Sequence, residues 1–183
     1  MIRFFDFTFS FFGILVLFPV MILLIIIGLF DTGSPLFFQK RMGKDGRPFT
    51  LIKFRTMYKD SQSVATHLIS KSSVTPFGTF LRKSKLDELP QLVNVLFGDM
   101  SIVGPRPNLF NQTELISVRK ALDVYSVRPG ITGIAQINDI DMSTPETLAR
   151  LDSDMIRNLN SVSYLLIIFQ TVTGKGFGDR ITK

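Results

Sequence analysis

The chain opens with a long apolar run, after which short apolar stretches alternate with polar and charged ones. Residues 7–30 contain no charged side chain, which is enough to cross a hydrocarbon core as a straight helix. A cleavable leader is disfavoured, because Asp6 offsets the cation Arg3 and the run lacks a small-residue cleavage site. The pattern therefore predicts a membrane helix.

Two arrangements of this helix fit the pattern. Pro19 lies mid-run, directly after Phe18, and an interior proline kinks a helix. Arg3 precedes the run and a group of cations beginning at Lys40 follows it, so basic residues that stay cytoplasmic put both ends on one side. A re-entrant helix kinked at Phe18 and Pro19 meets this condition. A kinked spanning helix also remains open, because such helices are common.

Residues 36–54 have the pattern of a β-hairpin. The apolar runs at 36–39 and 49–54 flank a glycine- and proline-containing turn at 43–48. Residues 58–75 are polar and rich in serine and threonine, and they predict a loop or a short helix in which His67 is a surface residue.

Apolar residues at helical spacing predict a helix over residues 89–97, with Gly98 as its C-terminal cap. The residues at this spacing are Leu89, Leu92, Val93 and Leu96. Because proline is tolerated only in the first turn of a helix, Pro90 places Asp87 and Glu88 at the N-terminus of this helix.

Further helices are predicted over residues 111–128, 145–159 and 161–172, the second with Thr144 as its N-cap. The last is too short to span a bilayer and is either a core helix or one that lies on the membrane surface. The predicted class is α+β. Residues 1–33 form the membrane helix, and residues 34–183 form a small, mostly helical domain with a short hairpin.

The composition of the chain limits the kinds of site and partner that it can have. The 183 residues include no cysteine, which excludes disulfides and thiolate metal sites. The formal net charge is +6, and every basic residue except Arg3 lies after position 39. A basic domain next to a membrane helix indicates anionic partners, such as phosphates, nucleic acid or an anionic leaflet.

Asp87 and Glu88 have two interpretations. Acidic residues at a helix start ordinarily act as caps that complement the helix dipole. Three cations, Arg82, Lys83 and Lys85, lie within five residues upstream and favour the ionised carboxylates. An ionised aspartate can attack phosphorus as a nucleophile or help to hold Mg²⁺. The pair is thus either a cap or a catalytic dyad.

Pro105 and Pro107 restrict the backbone on both sides of Arg106, which predicts a rigid loop. A guanidinium held in this way is preorganised for bidentate phosphate binding, and the alternative is a proline-rich turn with a solvated arginine.

Two other segments carry cations. Lys53 and Arg55 stand two residues apart and share a face of the predicted strand. Arg128 begins another tight turn. Together with the dyad and the membrane helix, these cations indicate an anionic substrate at a membrane surface.

Four segments together resemble the bacterial sugar transferases, in particular the small monotopic phosphoglycosyl transferases that begin bacterial glycan assembly. They read KFRTM at 53–57, LDELPQ at 86–91, GDMSIVGPRP at 98–107 and PGITG at 129–133. The likeness covers nearly the whole chain, and the part from 82 to 107 is its most specific block.

The resemblance implies a reaction. The aspartate, here Asp87, attacks the β-phosphate of a UDP-sugar and UMP leaves. Undecaprenyl phosphate, a polyprenyl phosphate, then attacks the phosphosugar-aspartate. Mg²⁺ is required, held by Asp87 and Glu88, and Glu88 also assists the acceptor. The residues assigned to substrate phosphate or nucleotide are Arg106, Arg82, Lys53, Arg55, Pro105, Pro107 and Arg128.

The resemblance also implies a re-entrant helix kinked at Pro19, with the catalytic domain on the cytoplasmic face of the bacterial inner membrane. The implied partners are a UDP-sugar, undecaprenyl phosphate and membrane lipid, without nucleic acid. The motifs assign neither a sugar nor an oligomeric state.

The chain departs from the family pattern in three places. Phe18 replaces the serine that usually precedes the kink proline. The segment 134–140 lacks the usual tryptophan and arginine, and Ser153, Asp154 and Met155 replace a tyrosine-rich patch. These changes point to a different sugar or a shifted nucleotide contact.

Two rival functions remain. A glycosyltransferase that moves the sugar without its phosphate releases UDP instead of UMP. A basic membrane-surface adaptor or nucleic-acid binder has no need of Asp87.

Overall fold

The computed structural model describes residues 1–59 and 73–174. Most of the predicted polar segment 58–75, including His67, lies outside the described residues. The helices are α1 (Ile2–Asp31), α2 (Pro76–Lys83), α3 (Gln91–Phe97), α4 (Thr113–Ala121), α5 (Ile134–Ile137), α6 (Pro145–Asn158) and α7 (Ser161–Val172). The strands are β1 (Leu36–Met42), β2 (Pro48–Phe54), β3 (Ser101–Val103) and β4 (Gly130–Thr132). The predicted α+β class, with a long apolar helix and a short hairpin, is confirmed.

Helix α1 lies along the rest of the fold, in contact with α3 and β3. Its buried residues, Asp6, Ser10, Leu24 and Gly28, form one stripe at helical spacing, and most of its other side chains are exposed. Among the described residues, α1 is the one helix that is long and apolar enough to cross a membrane. Pro19 lies inside it without interrupting the helix, so the kink stays a prediction.

Strands β1 and β2 form the predicted hairpin. They pair antiparallel, with Leu36 opposite Phe54 at the open end and Met42 opposite Pro48 at the turn. The first strand is longer than predicted, because the ladder continues past residue 39. The turn takes a positive φ of 55° at Asp45.

Helix α2 was not predicted. The Thr75 hydroxyl caps its start by accepting a hydrogen bond from the Gly78 main-chain N–H over 2.8 Å. A Cβ on Gly78 would lie 2.0 Å from the carbonyl oxygen of Thr56, so the glycine permits close packing of α2 beside the end of β2. Leu81 then joins Phe54 and Leu24 in a buried cluster.

Strands β3 and β4 were also not predicted. They pair in parallel, Ser101 opposite Gly130 and Val103 opposite Thr132. The pairing continues past β3, because the Gly104 N–H donates to the Thr132 carbonyl over 2.8 Å. This short sheet fixes the direction in which the chain enters residues 105–107.

The helical second half mostly follows the prediction. The helix predicted over 111–128 is shorter, because α4 ends at Ala121 and Asp123 takes a left-handed φ of 54° before a 3-10 turn at Val124–Ser126. Helices α6 and α7 match the predicted 145–159 and 161–172. Helix α7 buries Tyr164 and Ile167 in a core cluster. Ile168 is partly buried against the same cluster, and five other large apolar side chains of α7 are exposed: Val162, Leu165, Leu166, Phe169 and Val172.

Candidate active site

Asp87 and Glu88 lie in a 3-10 turn, Leu86–Glu88, that comes just before α3. The helix predicted over 89–97 begins only at Gln91, so the dyad does not lie in its first turn. The reason is a backbone reversal at Lys85, whose φ is 57° and which starts the separate turn after α2. The Asp87 side chain is buried, with the residue 2% exposed.

Apolar packing holds the 3-10 turn Leu86–Glu88 in place. Leu86 and Leu89, on either side of the dyad, pack against the buried cluster of Leu24, Phe54 and Leu81. The cluster joins α1, β2 and α2 beneath the dyad. The position of the two carboxylates therefore depends on three separate elements of the fold.

Asn94 ties α3 to the hairpin. Its Oδ1 accepts a hydrogen bond from the Ile52 main-chain N–H over 3.0 Å, and its Nδ2 donates to the Thr50 carbonyl over 2.8 Å. The buried amide thus completes the hydrogen bonding of β2 on its free side, and it fixes α3 directly downstream of the dyad.

Arg106 contacts the dyad directly. Its Nη2 lies 3.1 Å from Oε1 of Glu88, in a charge-assisted hydrogen bond. The two side chains keep 29% and 14% of their surface exposed, so the pair is open to solvent on one side. The rigid loop predicted at 105–107 and the predicted dyad are thereby brought together.

A buried network holds the backbone of Arg106. Arg119 donates from Nη1 to the Arg106 carbonyl over 2.8 Å and to Oδ1 of Asn108 over 3.0 Å. Its Nη2 pairs with Oδ2 of Asp152 over 2.6 Å. The Tyr125 hydroxyl donates to the same Asn108 oxygen over 2.9 Å. The loop is thus supported by side chains from α4 and α6.

Burial raises the pKa of two side chains in this network. It raises the pKa of the Tyr125 phenol, with Arg119 opposing the shift, so the phenol keeps its proton and acts as a donor at neutral pH. Burial also raises the pKa of Asp152, and the ion pair with Arg119 opposes that shift.

The two prolines of the loop contribute through their carbonyls. The Pro105 carbonyl accepts a hydrogen bond from the Gly130 N–H over 2.9 Å, and the Pro107 carbonyl accepts one from Arg41 Nη1 over 3.2 Å. Both ends of the loop are fixed, so the Arg106 side chain projects from a constrained backbone.

Arg82 is a buried cation without an acidic partner among the described residues. It is 5% exposed and donates from Nε to the Thr56 hydroxyl over 2.9 Å. Its Nη1 makes no hydrogen bond within the part of the chain that the structure describes. A buried guanidinium with an unused donor is suited to an anionic ligand.

Lys53 and Arg55 share a face, as predicted, and both lie over the ring of Phe37. The Lys53 Nζ is 5.9 Å from the ring centroid, and the Arg55 guanidinium carbon is 5.3 Å from it. Arg55 also donates to the Ser34 carbonyl over 2.9 Å, which ties it to the segment after α1.

Arg128 lies apart from the dyad. It donates from Nε to the carbonyl of Gly98 over 2.7 Å, at the opposite end of α3. Phe18 and Pro19 are exposed in the middle of α1. Among the predicted residues, the structure therefore places Arg106 in direct contact with the dyad, while Arg128 supports the far end of the helix that follows it.

Residues 1–176 match the family model described as bacterial sugar transferase. The chain belongs to the bacterial sugar transferase family. It is 40% identical over 171 residues to an uncharacterized sugar transferase, EpsL, of Bacillus subtilis, covering 93% of this chain and 84% of that one. The predictions of this family and of a phosphoglycosyl transferase enzyme are confirmed.

Two other similar sugar transferases are longer than this chain. The UDP-galactose-lipid carrier transferase of Erwinia amylovora is 34% identical over 192 residues, which cover 93% of this chain and 40% of that protein. The UDP-glucose:undecaprenyl-phosphate glucose-1-phosphate transferase of Escherichia coli is 40% identical over 160 residues, which cover 81% of this chain and 34% of that one.

The donor set of this family member suits a magnesium ion that is completed by substrate. No group of three or more histidine, cysteine or acidic residues could hold a metal among the described residues. Mg²⁺ commonly uses one or two carboxylates together with water and substrate phosphates. Asp87 and Glu88 supply two adjacent carboxylates, so they fit an ion that binds together with a diphosphate.

The network behind Arg106 was not predicted from the sequence of this transferase. One signal was available: Asp152 occupies the core-facing stripe of α6 with Leu148, Ala149 and Met155. Arg119 follows buried Leu115 by one turn of α4 in the same way. A charged residue in each of two apolar stripes indicates a buried ion pair.

Proposed function

We propose that this chain transfers a sugar phosphate from a UDP-sugar to undecaprenyl phosphate, releasing UMP and forming a polyprenyl-diphosphate-sugar. The names of two relatives support this reaction, because they include a UDP-sugar donor and a lipid carrier or undecaprenyl phosphate acceptor. The product begins a bacterial glycan at the membrane.

The contact between Arg106 and Glu88 is the observation that carries the proposal. It brings a rigid cationic loop to within 3.1 Å of an acidic dyad that is part of a buried turn. The dyad alone would repel an anionic diphosphate. Arg106 beside it offers donors for the phosphate oxygens. Buried Arg82, whose Nη1 makes no hydrogen bond within the described residues, is a second candidate donor.

Asp87 is the nucleophile of the first step. One carboxylate oxygen attacks the β-phosphorus of the UDP-sugar, and the bond between that phosphorus and the bridging oxygen breaks. The bridging oxygen leaves with UMP, and a phosphosugar-aspartate remains. Arg106 holds the donor phosphates in line, with Arg82 and Lys53 as further cations. Phosphoryl transfer depends mainly on such positioning and charge neutralisation.

Asp87 and Glu88 would hold Mg²⁺, which would supply charge neutralisation for the diphosphate. Glu88 would share that ion or orient the acceptor, and 14% of its side-chain surface stays exposed beside Arg106.

The second step regenerates the enzyme. A phosphate oxygen of undecaprenyl phosphate attacks the same phosphorus, and the bond to the Asp87 oxygen breaks. The carboxylate returns to its ionised form, and the two phosphates are now joined in a diphosphate. No net proton transfer is needed when the acceptor reacts as its dianion.

The acceptor is a lipid of the bilayer. The contacts of α1 favour a shallow attachment of the protein to that bilayer. The two ends of α1 contact the same domain: Asp6 accepts a hydrogen bond from Ser101, and Asp31 accepts one from Thr75. A straight 30-residue helix is about 45 Å long, so a perpendicular span would carry the flanking domain into the hydrocarbon. This favours a re-entrant α1, with the kink at Phe18 and Pro19 and the domain on the cytoplasmic face of the inner membrane.

The test is incubation of the full chain with candidate UDP-sugars and Mg²⁺, without acceptor. Mass spectrometry is expected to find a phosphosugar adduct on Asp87, and Asp87→Asn to form none. Glu114→Gln, an exposed acid in the first turn of α4, is the matched control and is expected to behave like the wild-type protein.

The identity of the released nucleotide distinguishes the proposed reaction from glycosyl transfer without the phosphate. UMP is expected, and UDP release would support glycosyl transfer without the phosphate. Full turnover with acceptor but no adduct with any donor would contradict the covalent mechanism. Activity that survives Asp87→Asn unchanged would contradict the role of the dyad.

A further inference from the structure

Asp6 is a buried carboxylate in the mostly apolar helix α1. It is 2% exposed, and its Oδ1 accepts three hydrogen bonds from the rest of the fold. The donors are the Ser101 hydroxyl over 2.8 Å, the Ile102 main-chain N–H over 2.9 Å and the Tyr164 hydroxyl over 2.8 Å. A buried carboxylate with this many donors is satisfied and strongly held.

Two of these donors belong to β3, the strand that leads into the Arg106 loop. Ser101 and Ile102 stand five and four residues before Arg106, respectively. Beyond the strand, Gly104 packs backbone against backbone with Gly130, since a Cβ on Gly130 would lie 2.1 Å from the Gly104 nitrogen. The backbone between the donors to Asp6 and Arg106 is therefore tightly constrained. The guanidinium of Arg106 is the group that contacts Glu88.

Arg3, one turn earlier, reaches the other half of the site. It donates from Nη1 to the Val95 carbonyl over 2.7 Å and from Nη2 to the Leu96 carbonyl over 3.0 Å. These carbonyls lie in the last turn of α3, the helix that follows the dyad. Cations at a helix C-terminus satisfy its open carbonyls.

We propose that Asp6 is a positioning residue for sugar-phosphate transfer, which it serves by fixing β3 and thereby the Arg106 loop relative to the dyad. The first two turns of α1 are thus part of the catalytic framework as well as of the membrane attachment. This inference rests on the proposed function. Asp6 touches no substrate and acts through Ser101 and Ile102.

The competing explanation is that Asp6 only stabilises the fold. The two differ in what they change. Loss of a stabilising contact lowers the fraction of active protein, whereas loss of a positioning contact lowers the first-order rate constant of each folded molecule.

The experiment measures single turnover of the full chain in lipid nanodiscs at saturating UDP-sugar, with UMP release as the signal. Its amplitude reports the active fraction, and its rate constant reports the geometry of the site. Asp6→Ala is expected to lower the rate constant about tenfold or more, while the amplitude changes little. Ser101→Ala and Tyr164→Phe, which each remove one donor, are expected to give smaller decreases.

Ser10→Ala is the matched control. Ser10 is also buried in α1, but within the part of the chain that the structure describes its hydroxyl donates to the Asp6 and Phe7 carbonyls of the same helix. Its rate constant is expected to equal that of the wild-type protein. A reduced amplitude with an unchanged rate constant in Asp6→Ala would overturn the proposal.

Two further outcomes of this experiment also bear on the proposal. If Asp6→Ala does not fold, Ser101→Ala and Tyr164→Phe decide the matter, and unchanged rate constants in both would overturn the proposal. If the wild-type protein releases UDP or forms no adduct, the proposed function fails, but the effect of Asp6 is still measured on the rate constant of nucleotide release.

Discussion

Arg119 donates a hydrogen bond from Nη1 to the main-chain carbonyl of Arg106 over 2.8 Å, so a fully buried side chain of α4 fixes the backbone of a residue that reaches the dyad. The same guanidinium pairs with Asp152 inside the fold. The Arg119 side chain therefore contributes both to the stability of the fold and to the geometry of the site. Mutations can separate these two contributions.

Asp152→Asn is expected to destabilise the protein by about 3 kcal/mol, because it leaves the Arg119 charge buried without its counter-charge. The double variant Arg119→Met with Asp152→Leu is expected to regain much of that stability, since apolar replacement of a buried pair is often tolerated. It is expected to remain impaired in catalysis, because the Arg106 carbonyl has lost its donor. Thermal unfolding and UMP release measure the two effects.

Asp154→Asn is the control for this pair, because Asp154 is exposed on the same helix. Full activity in the double variant would contradict a role for Arg119 in holding the loop.

Arg106→Ala is expected to lower kcat/KM for the UDP-sugar by about ten- to a hundredfold, the effect of losing a hydrogen bond to a charged group. Arg106→Lys keeps the charge but not the planar fork, so its activity is expected to lie between those of Arg106→Ala and the wild-type protein. Arg150→Ala, at an exposed position of α6, serves as the control. A lysine variant with wild-type kinetics would show that only charge is required there.

Gly130→Ala is expected to destabilise the protein by about 3 kcal/mol and to reduce activity, because the new Cβ would meet Gly104 backbone atoms that cannot move independently. Gly13→Ala is the comparison. Its Cβ would lie 3.3 Å from the Leu92 side chain, which can adjust, and alanine favours the helix. Melting temperatures of the two variants should therefore differ clearly, and equal values would argue against the tight approach of the two glycines.

Stability is expected to fall in alkali because of Tyr164. Burial, followed by the hydrogen bond to Asp6, raises the pKa of its phenol above the ordinary value of 10.0. Above that pH the unfolded chain releases the tyrosine proton and the folded chain retains it, so the free energy of unfolding falls by about 1.4 kcal/mol per pH unit. Tyr164→Phe should show a shallower decline above pH 10 in thermal melts, and an identical slope would contradict this origin.

The parts of the fold that the sequence predicted are those that depend on nearby residues. The hairpin follows from two short apolar runs around a turn. Helix α3 follows from the spacing of Leu89, Leu92 and Leu96, although Lys85 moved the dyad onto a turn of its own. The dyad and the Arg106 loop were found because their residue types are unusual at that spacing.

The parts that were missed depend on distant partners. Strands β3 and β4 have three residues each, too few to give a period, and they form only because Gly104 and Gly130 approach closely. Asp6 pairs with Arg3 over 3.8 Å, in agreement with its interpretation as a charge that offsets Arg3, but its hydrogen bonds from β3 and α7 were not foreseen. No local pattern contains that information.

The hydrogen bond between Tyr164 and Asp6 joins residues 158 positions apart. During synthesis, α1 therefore leaves the ribosome and meets the membrane long before α7 exists. Until its donors in β3 and α7 have been made, the Asp6 carboxylate must stay hydrated, which keeps the first turns of α1 at the level of the lipid headgroups. The order of translation itself thus opposes deep insertion of this end of the helix, and completion of α7 then secures it in place.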